Sequence, residues 1–328
     1  MNKLVKGYAA GIVGEALYGL NPLFALPLYA QGMNSDSVLF WRYCISIPVV
    51  ALMMLAGGVS FRVSLRQLPS LFMLGMLMSV SSLTLFMSYN YMDSGLASTL
   101  LFIYPAMVAV IMAIFFRQRL KPLTLACIVA AGGGIALLYN GEGGPLSLAG
   151  VALVMSSALS FALYIIAIKH SGTESLNTLT VIFYVLCFGI TLFIGRLLWG
   201  GVEFSVPQGL LGWGCASGLG ICPTALSFVL STMAIKYIGE TPAAILGSME
   251  SVTAVIIGAT VFGEVLYPSN IAGIALIIAA VCCLVGSPLI TAKLRARVQR
   301  RDGRKLLQDL RPCRDAAAMS ADRNSSRQ

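Results

Sequence analysis

Residues 263–281 read GEVLYPSNIAGIALIIAAV, and residues 117–137 read RQRLKPLTLACIVAAGGGIAL. Each holds a polar helix end, a leucine, a proline that opens a new segment, and a run of small apolar residues. A shift of 146 residues superposes them without a gap: Tyr91, Ala97, Leu100, Ala113, Phe116, Leu120 and Pro122 meet Tyr237, Ala243, Leu246, Ala259, Phe262, Leu266 and Pro268. Gly7 meets Gly150 at nearly the same shift. The chain therefore reads as two homologous halves, residues 1–141 and 142–290, followed by a basic tail, 291–328.

The 328 residues are 58% hydrophobic and 11% charged, with a mean hydropathy of +0.85. A soluble domain carries about 25% charged residues, so this chain lacks the polar surface to stay in water. Spanning helices need about 20 mostly apolar residues. Ten segments are expected, at 7–29, 37–57, 69–91, 94–116, 122–140, 146–168, 176–199, 208–235, 241–263 and 269–290. The first is too long, and too interrupted by Glu15, Asn21 and Pro22, to be a cleaved signal peptide. Five spans per half is an odd number, which forces the second half to enter the membrane from the opposite side. The expected fold is all-α: a polytopic membrane protein of ten transmembrane helices in two inverted five-helix repeats.

Orientation follows from Lys and Arg. With Lys3 and Lys6 cytoplasmic, the inner loops hold Arg62, Arg66, Arg117, Arg119, Lys121, Lys169 and Lys236, and the outer loops hold Arg196, at a span end. Both termini are expected in the cytoplasm, and the location is the cytoplasmic (inner) membrane of a bacterium. The net charge of +9 is no sign of nucleic acid, because 11 of the 22 basic residues lie after Thr291, where they suit a disordered tail beside anionic lipid.

Content also excludes chemistry. No G-x-x-x-x-G-K-[ST] loop is present, so ATP-driven pumping lacks its phosphate cradle. Seven of the eight cysteines fall in apolar runs without a C-x-x-C pair, and they read as small buried hydrophobes. Neither a metal site nor a cofactor is expected. The lone His170 lies in a cytoplasmic loop, away from the intramembrane acids a membrane-embedded enzyme would need beside it.

The two quoted segments, the first helix with Tyr18-Gly19-Leu20-Asn21, Arg42 near the start of the second helix, and Tyr104-Pro105 in the fourth together resemble the EamA-like family of the drug/metabolite transporter superfamily, over about residues 5–290. Two positions depart from the family pattern: Gln118 replaces a usual glutamate, and Glu250-Ser251 stands where glutamate-proline is usual. The resemblance implies ten helices with both termini inside, and efflux or exchange of small metabolites through a central cavity.

Charged residues at bilayer depth are costly and should face the protein interior. Glu15 and Glu250 lie near mid-span, and Gly247, Ala254 and Gly258 share the face of Glu250. Glu15, Tyr18 and Pro22 share a face of the first helix. Stripes of hydroxyls and rings, Ser79, Ser82, Phe86 and Tyr89, then Ser156, Ser160 and Tyr164, then Thr224, Ser227 and Ser231, suit either a cavity wall or close helix packing. Pro48, Pro105 and Pro223 should kink their spans. Arg42 can snorkel to the outer surface, pair with a carboxylate, or bind an anion. The candidates for substrate binding or proton coupling are Glu15, Glu250, Tyr18, Tyr89, Tyr104, Tyr164 and Arg42. Inverted repeats around a midplane site suit alternating access. The leading expectation is a secondary transporter exporting a small amphipathic metabolite or drug-like compound, with the lipid bilayer and a small-molecule substrate as partners and a homodimer compatible with the pattern. A membrane-embedded enzyme and a non-transporting scaffold or sensor are the alternatives.

Overall fold

In the computed structural model, residues 3–115, 117, 122–139, 147–173, 176–238 and 246–283 are described. Among them there is no strand, and seven helices are long and apolar enough to cross a membrane: Lys3–Ala30, Ser35–Ala56, Leu68–Ser88, Ser94–Phe115, Leu148–Ile168, Thr178–Trp199 and Gly209–Ala234. Shorter apolar helices, Leu125–Leu137, Ser248–Val261 and Pro268–Cys283, fall in the remaining expected stretches. Gln118, Arg119, Lys121 and the tail from Thr291 lie outside the described residues.

Three of the long spans are discontinuous, and in each the break coincides with a proline. The first divides into α1 (Lys3–Tyr18) and α2 (Asn21–Ala30), with Pro22 in the opening turn of α2, where its missing N–H costs nothing. The second and third are α3 (Ser35–Ala56) and α4 (Leu68–Ser88). The fourth divides into α5 (Ser94–Leu101) and α6 (Tyr104–Phe115), which opens on Tyr104-Pro105. After α7 (Pro122–Tyr139), α8 (Leu148–His170) and α9 (Thr178–Trp199), the eighth span runs from α10 (Gly209–Gly220) through a π-helical turn, Ile221–Leu226, into α11 (Ser227–Ile238). Pro223 sits in that turn and cannot bond to the Leu219 carbonyl four residues back. The Thr224 hydroxyl donates to that carbonyl instead, at 3.0 Å. By contrast α3 runs through Pro48 as one helix. The last two helices are α12 (Ser248–Val261) and Pro268–Cys283.

Small residues set the packing. α1 lies along α11, and a Cβ at Gly11 would come within 2.5 Å of Leu246 and 3.1 Å of Ala234. α4 lies along α8, fastened by Ser157 Oγ donating to the Ser81 carbonyl at 2.7 Å. α3 packs on α9, and α5 on α12. Glu264, from the C-terminal segment quoted above, caps α5: its carboxylate accepts from Ser94 N at 2.9 Å, Ser94 Oγ at 2.6 Å and Gly95 N at 3.2 Å. A carboxylate there satisfies orphan N–H groups at the positive end of the helix dipole.

A second repeat, which the 146-residue shift does not register, joins α3 and α9. Residues 57–63 read GGVSFRV after α3, and residues 200–206 read GGVEFSV after α9, a spacing of 143. Both turns use a left-handed glycine, Gly58 at φ 63° and Gly201 at φ 65°. Each then folds over the start of the other helix. Phe61 meets Phe183 edge-on at 5.3 Å, and Phe204 meets Phe40 edge-on at 5.5 Å. The Tyr184 hydroxyl donates to the Phe61 carbonyl at 2.9 Å, and Trp41 Nε1 donates to the Ser205 carbonyl at 3.1 Å. Asn34 and Asn177, also 143 apart, cap the two helices by accepting from Ser37 N at 2.8 Å and Leu179 N at 3.0 Å. Because the strand of chain leaving each helix covers the beginning of the other, α3 and α9 are antiparallel. At one end the pair is further joined by Arg196, which donates from Nε and Nη2 to both carboxylate oxygens of Asp36.

Candidate functional site

The breaks in the first and eighth spans bring polar groups to the centre of the bundle. Gly19, just after α1, lies so close to α12 that a Cβ there would be 2.5 Å from the Glu250 carbonyl oxygen, which sets Tyr18 beside Glu250. Glu250 stands in the first turn of α12, which begins at Ser248. The dipole of α12 favours a carboxylate in that turn. The Glu250 side chain makes no hydrogen bond to a described protein group. Glu15, on α1, accepts from Ser231 Oγ of α11 at 2.7 Å. Glu15 and Arg42 both stand near enough to Glu250 for their charges to act on it.

Arg42 overturns the snorkelling expectation. Its side chain is 1% exposed and reaches into the bundle, where Nε donates to Thr224 Oγ1 at 2.8 Å. The guanidinium lies over the rings of Phe86 and Tyr18, 5.4 Å and 6.0 Å from their centroids. Among the described residues no ion pair joins it to Glu15 or Glu250. The chain of contacts starts at Pro223: the proline frees a carbonyl, Thr224 donates to it, and the same hydroxyl oxygen then accepts from Arg42.

The aromatic candidates extend from this point. Tyr18 stacks on Phe228 at 6.1 Å, and Tyr104 meets Phe161 edge-on at 4.8 Å. Phe161 stacks on Tyr164 at 5.9 Å and 13°. Tyr89 tilts against Phe86 at 5.4 Å. The Tyr89 hydroxyl faces Ser98 without reaching hydrogen-bond geometry, and Asn21 Oδ1 is likewise buried without a partner. Charge on Glu250 acts on Tyr18, Tyr89 and Tyr104 alike, and Tyr164 lies near Tyr18, so one cluster holds them. Glu15, Tyr18, Tyr104, Tyr164 and Glu250 are half-buried.

Not every stripe belongs to this cluster. Ser79 and Ser82 sit at 3.5 Å from the Tyr43 hydroxyl, inside the packing of α3 and α4. Ser156 is exposed and donates to its own helix at the Ala152 carbonyl, while its neighbour Ser157 takes the buried position. The small-residue face around Glu250 is helix packing: Ser251 donates to the Ser98 carbonyl at 3.2 Å, and a Cβ at Gly258 would collide with Glu264. Phe161 and Phe228 are not among the sequence candidates, and their partnership with tyrosines carries no sequence signal. Among the described residues, no group of three or more His, Cys, Asp or Glu side chains could hold a metal ion.

The sequence pattern of the EamA-like transporter family matches residues 5–140 and 148–286. The chain belongs to the EamA-like transporter family. It is therefore a multi-pass membrane protein of a transporter family. Two curated proteins of Archaeoglobus fulgidus, each named an uncharacterized transporter, are similar to it. One is 30% identical over 124 residues, 38% of this chain and 43% of that protein. The other is 28% identical over 189 residues, 58% of this chain and 66% of that protein. The chain thus spans less than two thirds of each relative it matches. A solved structure titled only as the crystal structure of a protein aligns with a TM-score of 0.62 at 17% identity, over 89% of this chain and 98% of that one, a likeness of fold.

Proposed function

We propose that this EamA-like chain is a ten-span secondary transporter that exports a small metabolite or drug-like compound across the cytoplasmic membrane by alternating access. Its two halves, 1–141 and 142–290, are inverted repeats with both termini cytoplasmic. The observation that carries this reading is the interchange symmetry of the packing. Exchanging the halves turns the contact of the first span with the eighth (α1 on α11) into that of the sixth with the third (α8 on α4), and returns the contacts of second with seventh and fourth with ninth to themselves. The antiparallel α3 and α9, with their 143-spaced GGV-x-F-x-V turns at opposite ends, support inversion in particular. Two similar halves of opposite orientation can trade conformations and so open one cavity first to one side and then to the other.

Glu15, Glu250, Tyr18, Tyr89, Tyr104 and Tyr164 would bind the substrate or a coupled proton, and Arg42 would fix the contact between the second and eighth spans. The broken first, fourth and eighth spans are where the halves can bend. Purified protein in liposomes tests the reading. Protein-dependent flux of a small solute supports it, and covalent turnover of a lipid without flux would replace it with the enzyme alternative.

A further inference from the structure

The turn between α3 and α4 presents two arginines at a depth that the flanking helices fix. α3 ends at Ala56 and α4 begins at Leu68, and each is long and apolar enough to cross a membrane, so residues 57–67 lie at the level of the lipid headgroups. Their sequence, GGVSFRVSLRQ, holds Arg62 and Arg66 and no acidic residue. The backbone is fastened to the start of α9, where the Thr180 and Tyr184 hydroxyls donate to the Ser60 and Phe61 carbonyls at 3.0 Å and 2.9 Å. Phe61 meets Phe183, and Val63 packs against the cluster of Leu71, Leu74, Met78, Val181 and Val185. Burial alternates along this stretch, so the inward Phe61 and Val63 turn Arg62 outward. Gln67 N then donates to the Ser64 carbonyl at 2.9 Å, closing a four-residue turn whose tip is Leu65 and Arg66. Arg62, Leu65 and Arg66 are all exposed, Leu65 by 82%. Among the described residues, neither guanidinium has an acidic partner.

The turn after α9 supplies the contrast. With the same left-handed glycine, it places Ser205 where Arg62 stands, Gly209 where Arg66 stands and Glu203 where Ser60 stands. The architecture of the turn therefore does not require the arginines. On the membrane side of them the surface is apolar: Leu52 and Leu55 near the end of α3, and Phe72 and Met73 near the start of α4, are exposed. Two unpaired guanidiniums at headgroup depth, an exposed leucine between them and apolar side chains below match a molecule that is anionic at one end and hydrocarbon at the other. We propose that the 57–67 turn docks an anionic phospholipid, its phosphate held by Arg62 and Arg66, whose planar forks suit phosphate oxygens, and its acyl chains lying against Leu65 and the apolar flanks. The leaflet rests on the orientation proposed above, which puts this turn on the cytoplasmic side, where anionic lipid attracts basic segments; the binding itself does not rest on it. Because the turn is pinned to α9, the lipid lies where the first half of the chain meets the second.

The test uses the full-length chain in a non-ionic detergent and three probes: dioleoylphosphatidylglycerol, dioleoylphosphatidylcholine and inorganic phosphate. Saturable binding of radiolabelled phosphatidylglycerol is expected, with little competition from the other two at equal concentration. Arg62→Gln and Arg66→Gln should each weaken it by about fivefold, and the double variant by about twenty-five-fold. Both side chains are exposed, so the thermal midpoint of the lipid-free variants should match wild type and keep the comparison clean. Glu203→Gln, in the corresponding turn after α9, should leave the affinity unchanged. Equal competition by phosphatidylcholine would mean that the apolar flanks act alone, and equal competition by inorganic phosphate would mean a site for a soluble anion; either overturns the lipid assignment. Wild-type affinity in the double variant places the lipid elsewhere and overturns this surface. Binding is read without flux, so a chain that fails to transport leaves these outcomes as they are, and loss of the lipid site leaves the transporter reading in place.

Discussion

Arg42 Nε donates to Thr224 Oγ1 across 2.8 Å, joining α3 to the π-helical turn of the eighth span. The same threonine hydroxyl satisfies the Leu219 carbonyl, so two buried groups depend on one side chain. Thr224→Val keeps the shape and removes both bonds. It is expected to cost about 1–3 kcal/mol per orphaned group, and Thr224→Ser should restore most of it. Thermal unfolding in detergent reads both. A valine variant as stable as wild type would mean that Arg42 finds another acceptor.

Glu264 caps α5 beside Asp93, a loop residue outside the spans. Burial, and then the charge of Glu264, hold the Asp93 carboxyl above the usual carboxylate range. A raised folded value means the folded chain binds this proton more tightly than the unfolded one, so stability from this site is present at acid pH and declines as pH rises through the raised value. Asp93 makes no side-chain capping bond, so nothing offsets the repulsion. Asp93→Asn should therefore raise the melting temperature at pH 7–8, and the gain should vanish below the ordinary aspartate range. A gain that persists at low pH would show that the effect is not electrostatic.

The left-handed turns at Gly58 and Gly201 hold corresponding places in the two GGV-x-F-x-V segments. Neither has a neighbour within 4 Å of an added Cβ, so an alanine there pays for backbone conformation alone. Gly58→Ala and Gly201→Ala are each expected to cost about 1–2 kcal/mol, and to be additive because the turns lie at opposite ends of α3 and α9. Thermal midpoints of the two single variants and the double variant check this.

The helices were legible in the sequence because apolar runs of spanning length, punctuated by Gly, Pro and charge, report burial in lipid directly. What such runs conceal is any event shorter than the run. The turn at Gly247 before α12 puts Glu250 in a first turn, and the π-helical turn at Pro223 is invisible to a twenty-residue average. Helical phase was a further limit. Ser156 and Ser157 differ by one position, about 100° around the axis, and the exposed one is the one that fits the Ser156, Ser160, Tyr164 stripe. The 143-residue repeat was printed plainly in GGVSFRV and GGVEFSV, but it sits between apolar runs, where hydropathy has nothing to say. Arg42 was placed on the correct helix. Its burial follows from a tertiary contact, 182 residues away, that no local pattern encodes.

Glu250→Gln separates stability from function. Since the carboxylate has no described protein hydrogen-bond partner, its neutralisation should leave expression and thermal midpoint close to wild type while abolishing flux in liposomes. Arg42→Gln makes the contrast, because it removes a buried donor and its aromatic contacts and should lower stability before it alters transport. Flux retained by Glu250→Gln would assign the coupling role to Glu15, to be tested by the same substitution.

Inverted halves put the two GGV-x-F-x-V turns on opposite faces of the membrane, and this can be read by cross-linking. Ser205 N donates to Ser37 Oγ at 3.0 Å, and Thr180 Oγ1 donates to the Ser60 carbonyl at 3.0 Å, so each pair is close enough for a disulfide after substitution. In a background without the native cysteines, the Ser37→Cys/Ser205→Cys and Ser60→Cys/Thr180→Cys variants should both cross-link on oxidation. A membrane-impermeant thiol reagent added to intact cells should block the first pair, which faces outward when the N-terminus is cytoplasmic, and spare the second. Blocking of both pairs, or of neither, would put the turns on one face and remove the inverted repeat. A C-terminal phosphatase fusion that stays inactive adds the independent expectation of an even span count, because both ends then lie in the cytoplasm.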